Sequence, residues 1–211
     1  MTSMFILLCI SNFIVIPFFA HNETIQFIVR GIWFVLLFTG ILTLSENRMQ
    51  MRKLSVIPIF LVIISIIRIF IDFEFLNYLD FVIDIFVFGL MIGMVLIKVF
   101  ESGMITIHRV TGSIVAYMLL GDLWAIMYQF FYINVPGTLQ VPEIYSQAGV
   151  PSSVFLYFSF TTLTTTGYGE ILPIHAITRT LSVIEQLIGV LYPVVLIGRL
   201  VSLVTNNPKT S

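Results

Sequence analysis

The chain has little of what a soluble domain uses to face water. Only 10% of its 211 residues are charged, against about 25% in an ordinary globular domain. Ten Lys and Arg stand against eleven Asp and Glu, a net charge of −1, so no basic field draws in nucleic acid. Cys9 is the one cysteine and excludes an intramolecular disulfide; in its apolar run it reads as a small packing residue. His21, His108 and His175 lack ligand spacing, which argues against a metal centre. No charged linker divides the chain. What is abundant is apolar: 58% of residues are hydrophobic and the mean hydropathy is +1.05, which places the whole chain in the membrane class.

A bilayer core takes about 20 apolar residues per helix. Runs of that kind predict spans at Met4–Ala20, Ile25–Leu44, Leu54–Ile71, Leu79–Phe100, Thr111–Ile133 and Ala176–Thr205. The first run lacks a basic leader, and Phe18 stands where a small residue would precede cleavage after Ala20, so it is expected to stay as a span. Arg48, Arg52 and Lys53 lie in one connection, Lys98 and Arg109 in another, and Lys209 in the tail. The connections 21–24, 72–78 and 134–153 hold neither Lys nor Arg. The positive-inside rule then predicts cytoplasmic termini and an outward-facing connection before the last span. Arg30, Arg68 and Arg179 fall near outer ends, where they snorkel to the headgroups.

Between the fifth and sixth runs lies Val154–Leu163, apolar but too short to span, followed by "TTTGYGE". Irregular backbone is tolerated at membrane depth only where it is packed in protein or lines a water-filled path. The segment therefore reads as a re-entrant half-helix from Ser153 to about Thr164, capped by Ser152 and Ser153, with an extended return through Thr165–Gly169. Its C-terminal end is partly negative and favours a cation. Gly167 and Gly169, one residue apart, permit positive φ at alternating positions, which turns successive carbonyls to one side. One chain supplies one wall of such a path, so several copies around an axis are required.

These residues resemble the selectivity filter of the tetrameric potassium channel superfamily, usually T-V-G-Y-G followed by an acid. The resemblance extends over the preceding "VFLYFSFTTL" and the following "LSVIEQLIGVLYPVVLIGRLVSLV", about Thr111 to Thr205. It implies an all-α integral membrane protein of six transmembrane helices plus a re-entrant pore half-helix and filter loop. Residues 1–110 would form a four-helix transmembrane region, 111–205 the pore domain and 206–211 a short cytoplasmic tail. It implies a homotetramer among membrane lipids in the plasma membrane, conducting K+ passively, with no cofactor and no enzymatic step. Thr165 would offer hydroxyl and carbonyl to K+, Thr166, Gly167 and Tyr168 their carbonyls, and Gly169 the mouth. Tyr168 would brace against Tyr157 or Phe158. Thr166 stands where valine is usual and Glu170 where aspartate is usual, and Thr161 occupies the half-helix position where an acidic or polar partner often lies. Selectivity loosened by these changes, a non-selective cation channel, is the alternative within the same architecture, and a non-conducting subunit that keeps the loop is another.

Gly189 lies where the family pattern has a hinge, and Pro193 removes a backbone donor one turn on. Together they predict bending of the last helix, against close packing and a static kink. Val190, Val194, Ile197 and Val201 form one stripe that would line a cavity or face lipid. The fourth run holds Lys98 but no arginine ladder, with Asp80 and Asp84 near its outer end, so no conventional voltage sensor is expected. Asp122 and Glu185 are the deepest acids. Each is read either as a cation-attracting or pH-sensing group or, preferably, as a protonated or hydrogen-bonded residue at a helix contact. Arg68 and Asp72 form an i, i+4 pair. "GYGE" also resembles the G-x-G-D of membrane aspartyl proteases, but the acid is glutamate and no partner carboxylate is placed by a motif; Glu170→Gln should abolish a protease and only tune a channel.

Overall fold

The computed structural model describes residues 1–19, 31–33, 35–36, 38–41, 74–101, 106–145 and 149–205. The expected third span, much of the second, Arg30, the basic connection at Arg48, Arg52 and Lys53, the Arg68–Asp72 pair, His21 and the tail 206–211 lie outside them.

Helices dominate because an apolar chain without water must satisfy its amides internally. Helix α1 (Thr2–Ile10) runs into a π-helical stretch at Ser11–Val15 and α2 (Ile16–Phe19). The described residues within 31–41 are also helical. Then come α3 (Glu74–Phe100), α4 (Ile107–Asn134), β1 (Leu139–Gln140), α5 (Ser152–Leu163), β2 (Leu172–Pro173) and α6 (Ala176–Thr205). Among the described residues three stretches are long and apolar enough to cross a membrane: Phe81–Phe100, Ile107–Asn134 and Ala176–Arg199. The helix α3 begins at Glu74 rather than Leu79, which carries the loop acids Glu74 and Asp80 into its first turns. The bounds of α6 are those expected. Near the end of α3, Lys98 meets Glu101 at 3.5 Å, and the helix contains no arginine.

One core lies along α3 and α4, where Phe88, Met91, Val95 and Val99 meet Val115, Ala116 and Leu119, with Met4 and Leu8 of α1 beside them. A second surrounds α5, where Trp124, Tyr128, Phe155, Phe158 and Ile171 are buried together. Where α1 gives way to the π-helical stretch, Asn12 Nδ2 donates to Asp122 Oδ1 of α4 at 2.8 Å, both residues buried. Asp122 thus lies at a helix contact. The last helix is the exception to this packing. Only 17% of its apolar window is buried, against 56% for α4, so most of α6 has no cover among the described residues.

Candidate functional site

The site is built on the end of α5. Its N-cap is Pro151, with extended backbone and no side-chain cap bond. Ser152 and Ser153, expected as caps, lie inside the first turn instead. Pro151 is extended through its ψ of 154, and Val154 N donates to Pro151 O at 3.0 Å.

At the other end the chain leaves through a Schellman arrangement. Thr166 N donates to Thr161 O at 2.9 Å and Thr165 N to Thr162 O at 3.0 Å, and Thr165 takes the left-handed conformation at φ +55. Glycine is usual at that position; a β-branched residue there is strained. The next positive φ is at Gly167, +105. The alternation expected at Gly167 and Gly169 is therefore found one step earlier, at Thr165 and Gly167, because the helix cap takes the first left-handed residue. The cap also engages the carbonyls of Thr161 and Thr162. Leu163 O accepts from the Tyr117 hydroxyl at 3.2 Å. All three of these carbonyl oxygens at the helix end are thus already hydrogen-bonded within the chain. From Thr164 to Glu170 every residue is exposed.

The side chains behind this loop divide the roles expected of them. Tyr168 stacks on Phe158, with ring centroids 5.7 Å apart and planes 24° apart. Phe158 is fully buried and meets Tyr128 edge-on at 4.8 Å. The Tyr168 hydroxyl accepts from Gln186 Nε2 of α6 at 2.9 Å. Tyr157 is not part of the brace; it is exposed, with its hydroxyl beside the Glu170 carboxylate. Thr161 does not reach Glu170, because its hydroxyl turns back to Phe158 O at 3.0 Å. Thr166 shares its hydroxyl with Thr164 at 2.8 Å. Since Thr164 already donates to Phe160 O at 2.6 Å, the hydrogen between the two threonines comes from Thr166. The hydroxyl that distinguishes Thr166 from valine is thus used locally. Gln186→Leu should cost about 0.5–1.5 kcal/mol, read as a lower Tm of the purified protein with its fold retained.

Glu185 is buried among hydroxyls. Its Oε1 lies 2.6 Å from Ser159 Oγ of α5 and its Oε2 lies 2.5 Å from the Tyr128 hydroxyl of α4. Ser159 also reaches Gly121 O at 2.7 Å. Three helices meet at one carboxyl group.

Gly189 packs directly on the backbone of Leu163, and a Cβ there would fall inside the Leu163 carbonyl group. Close approach is therefore one function of this glycine. Pro193 lies inside α6, and the carbonyl its missing N–H leaves without a helical donor is that of Gly189. The expected packing role and the expected weak point meet at one residue. Val190, Val194, Ile197 and Val201 are all exposed.

The connection 134–153 holds a strand that its sequence does not announce. Its strand β1 pairs antiparallel with β2, Leu139 opposite Pro173 and Gln140 opposite Leu172. Thr138 O accepts from Thr178 Oγ1 at 2.6 Å and from Ile174 N at 3.1 Å. This stitches both approaches to the loop together. Two-residue strands carry no legible alternation. Ser159, Tyr128 and Gln186 were also missed, although Ser159 is the lone polar residue within "VFLYFSF" and could have been noticed.

Among the described residues no cluster of three His, Cys, Asp or Glu side chains could hold a metal ion. No curated protein and no solved structure matches the chain. The stretch 119–206 matches a family model whose description is "Ion channel". It covers the later part of α4, the loop with α5, and α6, so this part of the chain is similar to an ion-channel domain.

Proposed function

We propose that the chain is one subunit of a homotetrameric, potassium-selective channel of the plasma membrane, with both termini cytoplasmic. The carrying observation is the exposed loop Thr164–Glu170, with left-handed backbone at Thr165 and Gly167, held by Tyr168 and Gln186 between α5 and α6. In this reading α5 re-enters the membrane from outside and the remaining helices cross it. Four loops line one axis. K+ exchanges its water for the hydroxyl of Thr165 and the carbonyls of Thr165, Thr166, Gly167 and Tyr168, with Gly169 at the mouth, and neighbouring ions advance by mutual repulsion. The uncovered apolar faces of α6 supply the subunit contacts and the cavity wall. Gly189 and Pro193 give the bending point. The absence of arginine from α3 supports conduction without a conventional voltage sensor.

The second reading, a weakly selective monovalent cation channel, is favoured by Thr161, whose hydroxyl turns back to Phe158 O and leaves Glu170 beside Tyr157. Reconstitution of the full chain in a planar bilayer, with K+ on one side and Na+ on the other, separates the two. Strict selectivity gives a reversal potential near the K+ equilibrium value; a value near zero gives the second reading. Across −100 to +100 mV the open probability should change gently, and activation as steep as that of an arginine-ladder channel would refute the sensor-free reading.

A further inference from the structure

The contacts of Glu185 can be counted in hydrogens. A line of oxygens runs from Gly121 O to Ser159 Oγ (2.7 Å), Glu185 Oε1 (2.6 Å), across the carboxyl group from Oε2 to Tyr128 Oη (2.5 Å), then to Ser182 Oγ (3.4 Å) and Thr178 O (2.7 Å). Both ends are backbone carbonyls and contribute no hydrogen. The three hydroxyls contribute one each. With an ionised carboxylate, three hydrogens serve four short contacts. One short contact is then oxygen against oxygen, in a buried place where an unsatisfied polar group is costly. With a protonated carboxyl group there are four hydrogens for four short contacts, and the contact left without one is the 3.4 Å separation. The assignment is then unique. Glu185 Oε1 donates to Ser159, Ser159 donates to Gly121 O, Tyr128 donates to Oε2, and Ser182 donates to Thr178 O.

We infer that Glu185 is a neutral carboxylic acid whose proton joins α6 to α5 and α4 and thereby holds the pore loop in register. The position suits that task. Gln186, the next residue, carries the Tyr168 hydroxyl. Gly189, one turn on, rests on Leu163 at the end of α5. Loss of the proton leaves Ser159 with one hydrogen for two acceptors, Gly121 O and Oε1, and forces α5 to part from either α4 or α6. The titratable groups near this point are Tyr128 and Tyr117 of α4 and Tyr168 of the loop; α5 presents Ser159, and α6 presents Thr178 and Ser182. Among the described residues no Lys, Arg or His bonds the carboxyl group. Glu185 is a positioning residue, and its influence on conduction rests on the channel reading given above.

The test has two arms. In the first, difference infrared spectroscopy compares purified full-length wild type with Glu185→Gln at neutral pH, with 13C-labelled glutamate to identify the band. A protonated-carboxyl C=O band present in wild type and lost in the variant is expected; an ionised-carboxylate signature for Glu185 overturns the inference. In the second, both proteins are recorded in bilayers from neutral to alkaline pH. Glutamine reproduces the neutral acid, with Nε2 donating to Ser159 and Oε1 accepting from Tyr128. Its conductance should therefore stay within about twofold of wild type, while the decline of wild-type current at alkaline pH disappears. A Glu185→Gln variant that fails to assemble or loses selectivity refutes the neutral-acid role, as does wild-type current unchanged at a pH where the carboxyl band has gone. Absence of current in both proteins at every pH refutes the channel reading and leaves the infrared result standing.

Discussion

Gly167→Asp is expected to abolish discrimination between K+ and Na+ while the protein still assembles. At φ +105 the backbone is open to glycine, and any other residue there costs of order 1–3 kcal/mol. That strain is relieved by a shift of the backbone, which displaces the oxygens offered to the ion; a tenfold change in selectivity needs a difference of only about 1.4 kcal/mol between the two ions. The new carboxylate adds charge where the loop offers neutral oxygens. Among the described residues no atom crowds the glycine, so the variant has room to fold. The check is the bi-ionic reversal potential, expected to move toward zero with a fall of at least roughly tenfold in the permeability ratio. Retained selectivity would refute the assignment of Thr165–Gly169 as the filter.

The second large effect is expected from Gly189→Ala. Overpacking a core costs about 1–3 kcal/mol when side chains can yield. Here the obstacle is the backbone of Leu163, which is fixed by the cap of α5 and cannot rotate away. The helix α6 must retreat, and the Gln186–Tyr168 and Glu185–Ser159 bonds, on the neighbouring turn, lengthen with it. A cost near ~3 kcal/mol would lower Tm by roughly 6–12 °C for a chain of this size. Thermal unfolding of the purified protein in detergent measures it. If Gly189 served only as a hinge, alanine would leave Tm nearly unchanged and alter open probability instead. Pro193→Ala examines the hinge separately, since it restores a donor to the Gly189 carbonyl without touching Leu163; it should straighten α6 and reduce switching between conducting states.

The membrane class, the three long described helices and the short apolar segment before "TTTGYGE" were legible in the sequence because each depends on local composition. A run of apolar residues long enough to cross a bilayer must be helical wherever it packs. Gly167 was legible for a similar reason, since "GYG" permits a backbone that other residues resist. Where the left-handed alternation begins was not. That depended on α5 ending in a cap that requires Thr165, rather than Gly169, to take positive φ.

The partners of the site were left to tertiary structure. The sequence offered Tyr157 and Phe158 as equal braces for Tyr168, being adjacent on one helix. The rotation of α5 against α4 gave the task to Phe158 and turned Tyr157 toward Glu170. It offered Asp122 and Glu185 as similar buried acids. Packing gave one an amide from the first helix and the other a line of hydroxyls from two helices. Local pattern determines which segments enter the membrane and which residues the loop needs. The neighbours of a buried polar group are decided by helix rotation and approach, which depend on contacts distant in the chain, such as Gly189 on Leu163 and Ser159 on Gly121.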